Sequence, residues 1–241
     1  MKLPIASLAQ GDLKSILRDS TMVLAVFGPL AILLLLFFLP DIETLIQSRF
    51  AFDLREYRLF VVCFMSLVPS MLFGMIYGFI ILDERDEDII EFISVTPLQK
   101  NGYLSYKLQM PMLMSAGFFF LLLYTTNLIE LNPLHAVFLA TIVALEAAIG
   151  TLFLVSFADN KVEGLAFSKL LGVFYIAVPV VFLWDSPWHW IGTLLPSFWI
   201  AKAFIHSQAS SPWVWSDLGM GLVVHFLVLV YLLRVFLHRT R

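Results

Sequence analysis

The sequence has few of the residues with which enzymes and disulfide-bonded proteins build their sites. Its single cysteine, Cys63, excludes an intrachain disulfide and a cysteine metal cluster. The nucleotide-binding pattern G-x-x-x-x-G-K-[ST] and the zinc pattern H-E-x-x-H are both absent, and the five histidines are scattered without ligand spacing. We therefore expect a chain that is not an enzyme, holds no cofactor or metal, and does not itself hydrolyse nucleotide.

Charged residues are also scarce. They make up 14% of the 241 residues, and the net charge of -3 gives no reason to expect a nucleic-acid partner. Hydrophobic residues instead make up 60%, and the mean hydropathy is +0.90, well above the values of an average soluble domain. The sequence predicts an all-α integral membrane protein with one transmembrane domain over residues 1–241.

Six apolar runs are long enough to cross a hydrocarbon layer of roughly 30 Å as helices. The second run carries Gly74 and Gly78, whose spacing lets another helix approach closely. The fifth is predicted to be bent or loosened at Pro179. The runs cover residues 22–39, 59–82, 108–128, 134–158, 165–184 and 213–237.

Two further segments are amphipathic or too short to span. Residues from about Ile5 to Asp19 place apolar side chains on one face, which predicts an interfacial helix at the start of the chain. The piece Ile191 to Ile205 is too short to cross and contains Pro196. Because all six tryptophans lie in or beside this region, as at a lipid headgroup layer, we expect a re-entrant or interfacial hairpin before the last span.

The loop between the second and third spans is an island of charge in an apolar chain. It carries six acids near its start, and Ile89, Phe92 and Ile93 share one helical face. Pro97 cannot continue the helix. We predict a short amphipathic helix from about Glu84 to Val95 whose apolar face docks into a partner protein. The acids are Asp83, Glu84, Asp86, Glu87, Asp88 and Glu91.

Three stretches of the chain resemble type-2 ABC exporter permeases. The acids of the loop are followed by Val95-Thr96-Pro97-Leu98 and Gly102-Tyr103-Leu104, as in the coupling segment of those proteins. The stretch Asn160-Lys161-Val162-Glu163-Gly164-Leu165-Ala166, with Lys169-Leu170-Leu171-Gly172, resembles the fluoroquinolone export permease branch. So does the stretch Leu195-Pro196-Ser197-Phe198-Trp199-Ile200-Ala201-Lys202-Ala203.

This resemblance implies a permease that exports amphiphilic, fluoroquinolone-like drugs. It implies two copies of a separate ABC ATPase that binds ATP and Mg, and a second permease chain in a homodimer or heterodimer. Asn160, Lys161 and Glu163 would form a second ATPase contact or a cytoplasmic gate, or else an ordinary positive-inside loop. Seven residues would couple the permease to the ATPase: Glu84, Asp86, Glu87, Ile89, Phe92, Ile93 and Pro97.

Two ionisable residues lie near the middle of predicted spans, Glu146 in the fourth and His225 in the sixth. Intramembrane charges are costly and often functional. The structural alternative is a hydrogen bond inside the bundle that holds two helices together. Two rival functions stay open: a proton-coupled secondary carrier that uses this pair, and a permease of the same fold for lantibiotic immunity or haem export.

The distribution of lysine and arginine predicts the orientation. Eleven basic residues fall on the side of the termini and the acidic loop, and four fall on the other side. The positive-inside rule then places both termini and the acidic loop in the cytoplasm, and the resemblance implies the inner membrane of a prokaryote. Arg49, Arg55 and Arg58 in the first loop are the discordant residues.

Overall fold

The computed structural model describes residues 5–96, 98–184 and 187–239, and these ranges contain helices and loops but no β-strand. Three short 3-10 helices cover Leu54–Tyr57, Leu171–Tyr175 and Pro187–Leu194. The α-helices are α1 (Ile5–Arg18), α2 (Ser20–Phe37), α3 (Leu39–Phe50), α4 (Arg58–Asp86), α5 (Ile89–Ser94), α6 (Gln99–Thr126), α7 (Pro133–Phe157), α8 (Lys161–Ser168), α9 (Ala177–Leu183), α10 (Pro196–Gln208) and α11 (Val214–Arg239).

Six helical segments in the described chain are long and apolar enough to cross a membrane, which confirms the predicted all-α class. They are Ser20–Phe37, Leu54–Asp86, Gln99–Thr126, Pro133–Phe157, Lys161–Leu183 and Val214–His238. Two of these helices extend past the predicted apolar runs: α4 continues to Asp86, and α6 begins at Gln99. Their extra turns carry charged residues, which are held by ion pairs described below.

The core of the bundle lies around α7, which packs against α4, α6 and α11. The predicted close approach at Gly74 and Gly78 is confirmed, and the helix that approaches is α7. A Cβ atom on Gly74 would lie 2.5 Å from the backbone oxygen of Ala147, and one on Gly78 would lie 2.7 Å from Leu154 Cδ1. Glycine at these positions therefore lets the two backbones pack closely.

The fifth span is not one bent helix, so the prediction of a simple bend at Pro179 is wrong. It consists of α8, the 3-10 helix Leu171–Tyr175 and α9. The interruption lies before Pro179, which is the third residue of α9. In the first turn of a helix the amide hydrogens have no intrahelical partner, so a proline there costs little.

The hairpin before the last span enters the bundle. Most of α10 is buried, and Ser197 near its start donates a hydrogen bond to the backbone oxygen of Phe174. Near its other end, Ser207 Oγ lies 2.9 Å from Nδ1 of His135, in the first turn of α7. The segment thus begins inside the protein and returns to the end of the bundle where α7 begins, as a re-entrant hairpin does.

The start of the chain forms the predicted amphipathic helix. Leu13 and Leu17 on α1 are 56% and 67% exposed, so their face is not covered by the rest of the described chain. Asp19 follows α1 and caps α2, because its Oδ1 accepts hydrogen bonds from the amides of Thr21 and Met22 at 2.7 and 2.9 Å. The α1–α2 junction is therefore fixed by local chemistry.

Candidate functional site

The acidic loop forms a shorter helix than predicted, so the expected boundaries of Glu84 to Val95 are wrong. Three of its acids, Asp83, Glu84 and Asp86, belong to the last turns of α4, and α5 has six residues. The two helices are separated at Asp88, whose backbone is left-handed with φ 57°. Acids at the C-terminal end of a helix oppose its dipole, so their position requires nearby cations.

The predicted docking face is also divided. Ile93 is only 8% exposed and packs into the core, and Ile89 is half-buried against it. Phe92 and Val95 are 72% and 86% exposed. Pro97 lies outside the described residues. We call Phe92, Val95 and the exposed acids Glu87 and Asp88 the α5 surface.

A buried ionic cluster joins α1, α4 and α6 behind this surface. Lys107 is completely buried, and its Nζ lies 2.5 Å from Oδ1 of Asp12 and 2.8 Å from Oε1 of Glu84. The Tyr106 hydroxyl donates to Oδ2 of Asp12 at 2.9 Å, and the Tyr103 hydroxyl donates to Oε2 of Glu84. We call these five residues the Lys107 cluster. Two carboxylates, one ammonium group and two hydroxyls satisfy one another there.

The Lys107 cluster changes the interpretation of Glu84. The sequence predicted that this acid contacts a partner, but its side chain is 15% exposed and is bound to Lys107 and Tyr103. Glu84 therefore does not face a partner directly. A movement of α5 would reach Glu84 only through α4, the helix on which Glu84 lies. The cluster could not be found from spacing along the chain, since Asp12 and Lys107 are 95 positions apart.

A second set of contacts joins the end of α4 to the start of α8 and to the end of α7. Both lie on the side of the membrane that the sequence predicts to be cytoplasmic. Lys161 Nζ lies 2.5 Å from Oδ2 of Asp83 and 2.8 Å from Oδ2 of Asp19. Arg85 donates hydrogen bonds to the backbone oxygens of Ala158 and Val155 at 2.9 and 3.0 Å. These oxygens end α7, where carbonyls lack intrahelical partners and attract cations.

The remaining residues of the predicted gate are helix caps. Asn160 Oδ1 accepts a hydrogen bond from the Glu163 amide at 3.0 Å, and Glu163 Oε2 accepts one from the Asp159 amide at 2.9 Å. This reciprocal arrangement resembles a capping box and starts α8. Lys161, between them, also donates its backbone amide to Asp86 at 3.2 Å. The structure thus places Lys161 at the α4–α8 contact, while Asn160 and Glu163 fix the start of α8.

Glu146 and His225 face each other across α7 and α11, at the depth that the sequence predicted. Both are buried, and His225 Nε2 lies 3.3 Å from Glu146 Oε1. His225 Nδ1 lies 2.7 Å from the Gly221 carbonyl oxygen, so Nδ1 is the donor. The separation is within ion-pair range, yet neither facing atom has an aligned hydrogen-bond partner. The two groups are in contact but not tightly bonded.

Comparison with known proteins agrees with this architecture. The family model described as fluoroquinolones export permease protein Rv2686c-like matches residues 12–233. The chain belongs to this family. Two fluoroquinolones export permease proteins of Mycobacterium tuberculosis, MT2760 of strain CDC 1551 / Oshkosh and Rv2686c of strain ATCC 25618 / H37Rv, are each 25% identical over 239 residues, which is 96% of this chain and 93% of the relative. No solved structure gives a significant match.

Membership of the fluoroquinolone export permease family confirms the resemblance seen in the sequence. Together with the six apolar helices, it shows a multi-pass membrane permease of a drug-export family. The matched region begins at Asp12, which is the first residue of the Lys107 cluster along the sequence. It therefore contains that cluster, the Lys161 contacts and the Glu146–His225 pair.

Proposed function

We propose that this chain is the membrane-spanning subunit of an ATP-driven exporter of amphiphilic, fluoroquinolone-like drugs. Two copies of a separate ABC ATPase would hydrolyse ATP, and a second permease chain, identical or related, would complete the pathway. The substrate class is supported by the family and by the names of the two relatives. A separate ATPase is supported by the absence of the nucleotide-binding pattern from the sequence.

The observation that carries this proposal is the α5 surface. Phe92 and Val95 are apolar and exposed beside acids, a combination that suits a partner groove with an apolar floor and a basic rim. A six-residue helix is too short to be stable alone. Burial of Ile93 holds it against the bundle, and docking would hold its other face.

The end of α4 can transmit a push on α5 to the spans. Glu84 is bound to α6 and α1 through Lys107, and Asp83 is bound to α8 through Lys161. Arg85 holds the end of α7. ATP-driven closure of the partner subunits would then move these helix ends as a unit, and rotation of α4 and α6 would open the pathway outward.

The proposed orientation places the start of α1, the α5 surface and the end of α11 in the cytoplasm of a prokaryote with the permease in its inner membrane. Arg58 was one of the discordant arginines. It donates to the buried carboxylate of Glu43, with Nε 2.9 Å from Oε1. Arg58 therefore has a structural role on this side, because it ties the start of α4 to α3.

A proton-coupled carrier is the second candidate, because Glu146 and His225 meet inside the bundle. Inside-out vesicles that contain the permease and its ATPase separate the two functions. We expect fluoroquinolone uptake that needs ATP and persists when the proton gradient is collapsed. Uptake driven by a proton gradient without ATP would reject the exporter and support the carrier.

A further inference from the structure

The fifth span is interrupted at a point where one side of the segment faces the protein interior. Spanning segments in lipid normally keep continuous helical hydrogen bonds, and breaks are tolerated where they are buried or line a binding cavity. The 3-10 helix Leu171–Tyr175 forms this break. Tyr175 at its end is buried. Leu171 at its start packs beside α7, because a Cβ atom on Gly150, about one turn from Glu146, would lie 3.9 Å from Leu171 Cδ2. The break therefore adjoins α7 close to the mid-bundle carboxylate.

Unpartnered polar atoms lie at a similar depth in three of the spanning helices. Among the described residues, three buried side-chain atoms lack a hydrogen-bond partner: Ser115 Oγ on α6, Glu146 Oε1 on α7 and His225 Nε2 on α11. All three lie in the interior of spanning helices. Folded proteins pair nearly all buried polar atoms, so an unpaired group needs an explanation such as an absent ligand.

An aromatic cluster extends from the break towards the end of α7. Phe153, about two turns from Glu146 along α7, has its ring centroid 5.3 Å from that of Phe174 and 5.2 Å from that of Phe157. Phe167 on α8 completes the group, with its ring centroid 6.2 Å from that of Phe153. All four rings are half-buried, so an entering molecule could reach them. We call them the Phe153 cluster.

The charge of this region favours a cation. The faces of aromatic rings are electron-rich and attract cations, and Glu146 is the one acid in α7. The loose 3.3 Å contact with His225 leaves the Glu146 carboxylate able to exchange its partner.

We propose that Glu146 is the counterion for an aromatic or amphiphilic organic cation that enters along the Phe153 cluster. The protein in its present state fills this site with the imidazole of His225. Binding separates α7 from α11 at this depth, and the organic cation takes the position of the imidazole against the carboxylate. This assignment rests on the proposed export function, and it specifies that the exported substrates carry a positive charge.

Equilibrium binding to the purified permease in lipid nanodiscs tests the assignment. The probes are tetraphenylphosphonium and tetraphenylborate, which share a shape and have opposite charges, with empty nanodiscs as the lipid background. We expect saturable binding of the cation that is at least about tenfold tighter than binding of the anion, since removing a charge contact in the membrane interior costs more than 1.4 kcal/mol.

Three variants locate the site. Glu146→Gln should weaken cation binding about tenfold or more, and Phe153→Ala should weaken it roughly threefold through loss of an aromatic contact with a phenyl group of the probe. Phe120→Ala is the control, because Phe120 is a half-buried ring that stacks on Tyr124 of α6, 6.2 Å away, outside the cluster. Its binding should equal that of the unaltered protein.

Unchanged cation binding in Glu146→Gln overturns the proposal. If that variant does not fold, the unaltered protein still tests the proposal. Equal binding of the two probes, or no saturable binding of the cation, refutes a carboxylate site. The permease is tested without an ATPase, so these outcomes are separate from the export function. An exporter with a neutral substrate site would still show ATP-driven uptake in vesicles.

Discussion

Replacing Lys107 by methionine removes the ammonium group of the Lys107 cluster while retaining most of the side-chain volume. Asp12 and Glu84, which lie 2.5 and 2.8 Å from Nζ, would then face each other without a cation. Asp12 is 3% exposed, so water cannot replace the lost partner fully. Breaking a buried ion pair by removing one member costs about 3–5 kcal/mol, and we expect a loss of that size in the free energy of unfolding.

The cluster also permits a rescue that distinguishes charge from packing. With Asp12→Asn and Glu84→Gln added to Lys107→Met, the site is uncharged and the tyrosine hydroxyls keep amide oxygens as acceptors. Exchange of a whole buried ionic group for neutral residues is often close to neutral in stability. The triple variant should therefore recover most of the stability that the single variant loses.

Equilibrium unfolding in mixed detergent micelles, followed by tryptophan fluorescence, measures both effects. Lys100→Met is the control, because Lys100 is an exposed lysine on the same helix and its replacement should change stability by less than about 0.5 kcal/mol. A Lys107→Met variant as stable as Lys100→Met would refute the structural role given to the cluster. So would a triple variant less stable than the single one.

Three further predictions concern other contacts. Gly74→Ala should destabilise the protein by about 1–3 kcal/mol through overpacking against Ala147. Gly117→Ala is the control, since a Cβ atom there meets nothing within 4 Å. Equal thermal stabilities of the two variants would contradict the α4–α7 packing. Glu146→Gln and His225→Gln should be non-additive in stability because the two side chains are in contact, and additive losses would show that the contact contributes nothing. Burial raises the pKa of Asp19, but hydrogen bonds from Lys161 and from the Met22 and Thr21 amides lower it more, so the pKa lies below its ordinary value of 3.8. The stability from this lowered pKa is thus present at neutral pH and is lost as the pH falls below 3.8. Asp19→Asn should therefore be less stable than the unaltered protein at pH about 7, and the difference in stability should shrink in acid. A difference that does not depend on pH would contradict the ion pair.

The sequence contained enough information for the span architecture because long apolar runs have one solution in lipid, the helix. It also placed Glu146 and His225 at similar depth and identified Gly74 and Gly78 as a close-packing face. It could not identify the Lys107 cluster, since the first two spans separate Asp12 from Tyr106 and Lys107 along the chain. Nor does hydropathy distinguish a 3-10 turn from an α-helix, so the break at Leu171–Tyr175 was missed.

The boundary error at α5 has an electrostatic cause. Acids favour the start of a helix, and this rule assigned Glu84 to the beginning of a new helix. In the structure the acids instead end α4, where the helix dipole is negative. Lys107 and Lys161 supply the positive charge that these acids need there. Both lysines belong to other helices, and their positions are set by the fold.

Drug-stimulated ATP hydrolysis by the proposed permease–ATPase complex, purified with Phe92→Ala, tests whether the α5 surface couples the two subunits. Phe27→Ala is the matched control, because Phe27 on α2 is also largely exposed, at 60% against 72%, but lies far from α5 in the apolar span. We expect Phe92→Ala to weaken assembly or to abolish drug stimulation, with drug binding to the permease unchanged, and Phe27→Ala to behave as the unaltered protein. Full stimulation with Phe92→Ala, or loss of drug binding with assembly intact, would contradict the role of the α5 surface.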